Sequence, residues 1–312
     1  MQALRPRLLA AGLRRTPTVR AESLSRALGF EVVLKLECLQ VTGSFKPRGA
    51  FARMQSLTPQ ERTRGVIAVS AGNHALALAW AAARAGVAAT IVTWDGAPEV
   101  KMAGARAYGA RVVRRGTTPL QAFQALDELR AQGGATLVHP FDDTIVIEGQ
   151  ATVGAEIAED APDAAAVIVP VGGNGLVAGV AAALHAAGST ARVIGVEPEG
   201  APTLHSALAA GGEPVVLETV ATIADGLSAP MAGRAGMPLV QAHVDDVVLV
   251  SDDHLREAMR LLAAHEHVVA EPAGAAGLAA LLAGRVAVDG PALVIVSGGN
   301  VQPELFAEVL LG

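Results

Sequence analysis

Cysteine is almost missing from this chain: Cys38 is the only one in 312 residues. No intrachain disulfide can form, no Cys-rich metal site exists, and the composition suits a reducing cytoplasm. Lysine is nearly as scarce, with Lys35, Lys46 and Lys101 set against 21 arginines, so guanidinium covers the surface. Arginine supplies charge but not chemistry, because it stays protonated, whereas a lysine amine can be depressed from about 10.4 and form an imine with a carbonyl. Long apolar runs are lacking too. Hydrophobic residues make up 51% of the chain and charged ones 17%, yet no run approaches the roughly 18 residues that span a bilayer. A net charge of −6 with no basic cluster beyond the N-terminus excludes a nucleic-acid surface. What remains is a cytoplasmic protein whose partner is a small molecule, with core enough for two domains or one large α/β domain.

The first twenty residues carry Arg5, Arg7, Arg14, Arg15 and Arg20 without an acid, as a transit peptide does. They lack the apolar stretch of a secretory signal, and Met1–Leu13 is read as a first helix that packs on the body. Beyond it, short Val- and Ile-rich runs alternate with Ala-rich helical stretches. The runs read as strands are Val32–Leu36, Val66–Ser70, Ala89–Val92, Val112–Val113, Leu137–Val138, Val167–Val169, Val193–Val196, Val247–Val250 and Leu293–Val296. Strands apolar on both faces that alternate with helices imply an α/β fold with mostly parallel sheets covered on both sides.

One stretch, Leu34–Ala50, places Lys46 in a Ser-Phe-Lys run. Gly43 and Ser44 offer a turn and a cap, and Pro47 a fixed first helical residue, which puts Lys46 where strand meets helix. In open α/β sheets ligands lie beyond the carboxyl ends of strands. Four loops there are unusual: Ser70–His74, Val171–Leu176, Ala224–Gly226 and Ser297–Asn300. The second can be read in two ways. Gly173–Ala178 satisfies G-x-G-x-x-A, with Glu197 ending the next strand, as a dinucleotide fingerprint requires. Alternatively the N–H groups of Gly172–Gly175 and the helix start cradle one terminal phosphate. A lysine opposite the loop separates the readings, and Lys46 is available.

The runs TGSFKPRGA, SAGNHA, VGGNGLVAG, TIADG, EPAGA and SGGNV, in this order and spacing, resemble the serine/threonine dehydratase family. These are fold-type II pyridoxal phosphate enzymes, akin to threonine deaminase and serine racemase. The resemblance spans about Arg15 to Val301. It implies a tryptophan synthase beta-like architecture of two open, mostly parallel sheets flanked by helices. Residues 1–56 and 146–312 would form a large cofactor-binding domain and 57–145 a small mobile one. Lys46 would carry the pyridoxal 5′-phosphate as a Schiff base, with Phe45 against one face of its ring and Asn73 on its phenolic oxygen. Gly172, Gly173, Asn174, Gly175 and Leu176 would wrap the phosphate, and Ser297 would meet the pyridine nitrogen. Ser70, Asn73 and His74 would bind the substrate carboxylate.

The implied reaction is α,β-elimination from L-threonine or L-serine to a 2-oxoacid and ammonia, with the freed Lys46 as base. Another β-hydroxy amino acid, such as 3-hydroxyaspartate or phenylserine, is the alternative within the family, as is serine racemisation. Outside it stand a nicotinamide-dependent oxidoreductase and a non-catalytic amino-acid-binding protein. A homodimer is expected. Departures from the family pattern sharpen the reading. Asn174 stands where relatives commonly have glycine, and Leu76 replaces a frequent glutamine. Racemising relatives have a serine hydroxyl after the residue matching Ser70, where this chain has Ala71. Some relatives bind a divalent cation with an acid pair, but Thr203 stands where the partner of Glu197 would be, so no metal site is expected. The chain stops soon after Val301, so no regulatory domain is expected. His139 reads as a turn histidine, His265 and His267 as unconnected with metal, and Trp80 and Trp94 as packing residues.

Overall fold

The protein is described by a computed structural model that covers residues 4–312. Among these residues ten strands, β1–β10, run Thr18–Arg20, Val32–Lys35, Val66–Val69, Ala89–Thr93, Arg111–Arg114, Thr136–Leu137, Ala166–Pro170, Arg192–Pro198, Asp246–Val250 and Ala292–Ile295. They form a six-stranded sheet in the order β1-β2-β10-β7-β8-β9 and a four-stranded sheet in the order β5-β4-β3-β6. Every pairing is parallel except β1 against β2. Helices fill the connections, as parallel strands require. The first helix runs Leu4–Ala10; Met1–Ala3, also expected to be helical, lie outside the described residues.

The chain divides into two compact units. One comprises Arg14–Phe45 and Gln150–Gly312; the other comprises the residues up to Leu13 together with Lys46–Gly149. The sequence boundaries put the segment after Lys46 in the larger domain. The structure groups helix Pro47–Gln55 with the smaller unit, because its apolar side chains pack on helix Asn73–Ala85, Phe51 meeting Trp80 at 5.9 Å between ring centres.

In the larger unit the helix Pro272–Leu282 is buried through Leu281 and lies on the sheet core. Its run of Ala and Gly is what lets it come so close: a Cβ at Gly277 would stand 2.8 Å from Val294 and 3.3 Å from the Ile168 carbonyl. Lys35 is committed to structure there, its Nζ 2.8 Å from Glu156 with both side chains fully buried. In the smaller unit the helix Pro119–Gly133 covers one sheet face, with Ala122, Ala125 and Leu126 against Ile67, Val69 and Val92.

Strand order places the loops that matter. From β7 the chain builds outward through β8 and β9, then returns to lay β10 on the other side of β7. From β3 it builds through β4 and β5, then returns to lay β6 on the other side of β3. Each sheet therefore has a topological switch point, where loops at the strand ends part and leave room for a ligand. The loops concerned are those after β7 and β10 in one unit, and after β3 and β6 in the other.

Candidate active site

In the larger unit β7 ends at Pro170 and the chain turns into the twelve-residue helix Gly175–Ala186. Asn174 makes the turn in the left-handed region, at φ 65° and ψ −8°. Asparagine tolerates that conformation, which explains how it replaces a glycine. Its side chain is spent on structure. Nδ2 donates to the Gly233 carbonyl at 2.8 Å, and a Cβ at Gly236 would come within 2.6 Å of Oδ1. Oδ1 is buried without a hydrogen bond, but an amide oxygen only accepts, so toward an anion Asn174 brings its main chain.

The loop carbonyls are claimed one after another. Gly172 accepts from the Thr203 hydroxyl at 2.7 Å, Gly173 from the Gly233 N–H at 3.3 Å, and Asn174 from the Ala178 N–H at 3.0 Å. In a trans peptide the N–H points opposite to the C=O, so each held carbonyl turns the next N–H to the other side. Those N–H groups belong to Gly173, Asn174 and Gly175. Neither they nor the N–H of Leu176 find a partner among the described residues, although all four residues are buried. Buried N–H groups without an acceptor are rare and costly. With the positive end of the helix dipole beside them they form an anion cradle. A Cβ at Gly172 would stand 3.1 Å from the Cα of Leu227, so the cradle is backed by the Asp225–Leu227 turn.

Beyond β10, Ser297 is buried and its hydroxyl donates to the Ala273 carbonyl over a long 3.3 Å, a bond weak enough to give up for a better acceptor. The Ser297 carbonyl accepts the N–H of Phe45 at 3.1 Å, which fixes the residue before Lys46. Ser44 forms a bridge with Gly298; its hydroxyl is fully buried without a hydrogen bond and does not cap the next helix, as the sequence suggested. Two short 3-10 turns, Glu37–Leu39 and Val41–Gly43, separate β2 from that helix, so Lys46 does not follow a strand directly.

In the smaller unit Lys46 itself is the N-cap of Pro47–Gln55. Its Nζ donates to the Pro140 carbonyl at 2.9 Å, in the loop after β6. Next to it, after β3, Ser70 pins its own loop. Its hydroxyl oxygen accepts the N–H groups of Gly72 and Ala75 at 3.1 and 3.2 Å, which leaves the hydroxyl proton to donate elsewhere. The N–H groups of Ala71 and His74 have no acceptor among the described residues. Asn73 is half-buried at the first helical position. His74 turns inward, its Nε2 2.9 Å from the Val138 carbonyl. A carbonyl only accepts, so Nε2 carries the proton. Burial, with Lys46 nearby, holds its pKa down to about 3, so the ring is neutral. His74 can therefore serve an anion only through its main chain. His139 accepts the N–H of Asp142 on Nδ1 at 2.8 Å and is the turn histidine expected.

The residues named from sequence thus assemble in two groups at the two switch points: Phe45, Gly172–Leu176 and Ser297 in one unit, Lys46, Ser70, Asn73 and His74 in the other. The sequence reading missed the Pro140 carbonyl, the Gly233 segment and the part Thr203 plays. Main-chain acceptors leave no residue-type signal, and Thr203 was visible only as a missing acid. Glu197 does not play the ribose-binding role of a dinucleotide fold. Its carboxyl is engaged by Thr203, Leu204 and His205. Among the described residues no group of three His, Cys, Asp or Glu side chains is placed to hold a metal, and no helix is long and apolar enough to cross a membrane.

Each unit offers one part of the chemistry of the class of enzyme that holds a phosphorylated aldehyde, a buried run of N–H donors suited to an anion in the larger and an amine able to form an imine in the smaller. The chain matches the model of the pyridoxal-phosphate dependent enzymes over residues 9–298, and it belongs to that family. An L-threonine ammonia-lyase of Thermotoga maritima is 40% identical over 305 residues, 97% of this chain and 76% of that protein. The catabolic L-threonine dehydratase TdcB of Escherichia coli K12 is 40% identical over 301 residues, 94% of this chain and 90% of that protein. Among solved structures, maize serine racemase superposes with a TM-score of 0.92 at 33% identity, covering 99% of this chain and 96% of that one. The nicotinamide reading falls with the family assignment.

Proposed function

We propose that the protein is an ammonia-lyase that converts L-threonine, L-serine or both to a 2-oxoacid and ammonia. The observation that carries the reading is that the Lys46 amine and the N–H seat of Ser70–His74 share one sheet edge, after β6 and β3. A base and a carboxylate seat so placed are what removal of an amino acid's α-proton needs. Lys46 would hold the cofactor covalently through its amine, and the residues to receive it would be the N–H groups of Gly173–Leu176 for its phosphate, Phe45 for its ring, Asn73 for its phenolic oxygen and Ser297 for its pyridine nitrogen. The bound cofactor supplies the electron sink. The chain does the rest. Ser70 and the N–H groups of Ala71 and His74 orient the carboxylate, and the freed Lys46 amine takes the Cα proton. The β-hydroxyl departs as water, regained when the released enamine product hydrolyses to 2-oxoacid and ammonia. Ser297, a hydroxyl rather than a carboxylate, does not enforce a protonated ring, which favours expulsion of the β-substituent. Ala71 offers a methyl group where a second proton donor would stand, which favours elimination over inversion.

Assay of a panel of β-hydroxy amino acids for 2-oxoacid release, with chiral analysis of residual serine, tests this reading. L-threonine or L-serine should be the fastest. Preference for 3-hydroxyaspartate or phenylserine would move the substrate class, and D-serine formed as fast as pyruvate would make the protein a racemase. Borohydride reduction should leave one pyridoxyl group, on Lys46. The proposal extends to a cytoplasmic location, which the lone, buried Cys38 suits, and to a homodimer, which light scattering on the purified protein checks. It also extends to motion of the 57–145 segment, whose amide exchange should slow when a substrate analogue binds.

A further inference from the structure

Thr203 opens the helix Thr203–Ala209 just after β8, and it is fully buried. Its Oγ1 stands 2.7 Å from the Gly172 carbonyl and 2.8 Å from Oε1 of Glu197. A hydroxyl has a single proton. The carbonyl and an ionised carboxylate both only accept, so the two contacts are hydrogen bonds together only if the carboxyl is itself protonated and the Thr203 proton goes to Gly172. The carboxyl then donates to the hydroxyl's lone pair. Oε1 also accepts the Leu204 N–H at 2.7 Å, and Oε2 accepts the His205 N–H at 2.9 Å. Burial pushes the Glu197 carboxyl up to about 7, well above an ordinary glutamate, in keeping with that proton.

The geometry describes a directed line of hydrogen bonds, Glu197 to Thr203 to the Gly172 carbonyl. It ends on the peptide whose other side is the Gly173 N–H. Gly172 and Gly173 carry no side chains to restrain that peptide, so the restraint comes from the hydroxyl. We propose that Thr203 is a positioning residue for the cofactor phosphate: braced by Glu197, its hydroxyl anchors the Gly172 carbonyl and so aims the Gly173 N–H into the cradle. The inference rests on the reading of Gly172–Leu176 as a phosphate cradle.

The test is made on holoenzyme, by titrating pyridoxal phosphate back into resolved protein and recording the phosphorus-31 resonance of the bound cofactor. Thr203→Val keeps the shape and removes the hydroxyl. It should weaken cofactor binding about tenfold, the cost of one buried carbonyl left without a donor, and move the resonance. Thr203→Ser should restore both, and KM for the amino acid should stay at the wild-type value in each. Wild-type affinity and an unmoved resonance in Thr203→Val would overturn the inference. If Thr203→Val does not fold, Thr203→Ala, which also removes the hydroxyl, is read in its place: a tenfold loss of cofactor affinity with a moved resonance supports the inference, and wild-type values for both overturn it. A wild-type resonance like that of free cofactor would instead overturn the cradle reading itself.

Discussion

Each of the two sheets ends a strand at its switch point in a run of N–H donors that opens a helix, and the two runs are held differently. At Gly172–Leu176 three successive carbonyls are claimed by Thr203, Gly233 and Ala178, and Gly173–Leu176 are buried. At Ser70–His74 the Ser70 hydroxyl holds two N–H groups, the Ser70 N–H bonds the Val92 carbonyl and the Gly72 carbonyl accepts the Ala75 N–H, yet Ser70–Asn73 are half-exposed. A half-exposed loop opens at lower free energy than a buried one whose successive carbonyls are all claimed. The difference fits their proposed occupants. A cofactor stays through many turnovers and suits the rigid run, whereas a substrate must enter and a product leave, which suits the lightly held one.

The largest break should come from Lys46→Ala. It should lower kcat by about 10⁴-fold, the upper range for loss of a general base, and abolish the borohydride adduct. The rigid cradle should still retain non-covalent cofactor, measurable by dialysis, and full release on removing the amine would show that the cradle does not bind by itself.

Acid should act on the smaller unit through His74. Its folded value, about 3, lies below the ordinary 6.5 of an unfolded imidazole. The stability this burial carries is complete above 6.5. Between 6.5 and 3 the unfolded chain holds the extra proton, so each unit of acidification removes up to about 1.4 kcal/mol. Urea denaturation of His74→Gln, compared with wild type over this range, should show a flatter acid limb; parallel curves would refute the assignment.

A smaller effect is expected in the rigid run. Asn174→Val places a β-branched residue at φ 65° and removes the donor to Gly233, and should cost about 2 kcal/mol in thermal or urea unfolding. Asn174→Gly keeps the conformation and loses only the side-chain bond, so it should lose about half as much. Equal losses would mean that strain plays no part.

Least of all should follow from Ser70→Ala. It frees the Gly72 N–H and leaves the Ala75 N–H with the Gly72 carbonyl alone, in a loop that reaches water, so KM for the amino acid should rise about tenfold with cofactor affinity unchanged. A matching loss of cofactor would mean that the two runs are not independent.

Much of this was legible in the sequence, for a physical reason. Strands such as Val66–Val69 and Ala166–Pro170 are buried at every residue and so read as unbroken apolar runs. β1 was missed because Thr18–Arg20 is three residues long, polar, and an antiparallel edge strand. Short helices such as Glu22–Leu28 and Met237–His243 also escaped, being too brief for a period to show. Pro59–Arg64 carried a readable signal, the Thr58 and Glu61 capping box, that was not used. At the candidate site motifs named the residues but not where their side chains point. His74 is the second residue of a helix whose next eight residues are all buried, so its ring turns to the interior. Asn174 was ambiguous from sequence because its two uses, left-handed turn and side-chain donor, are both settled by residues some sixty positions away, at Gly233 and Gly236.

The burial of Lys35 against Glu156 reaches further than stability. Lys101 is buried as well, and Lys46 turns its amine to a carbonyl, so no lysine stands fully open on the surface. Free pyridoxal phosphate is a reactive aldehyde that condenses with accessible lysines on most proteins. The lysines of this chain offer it almost no decoys. The protein is thus set to load one cofactor per chain without scavenging more, and it should be unusually indifferent to glycation and to amine-directed crosslinkers.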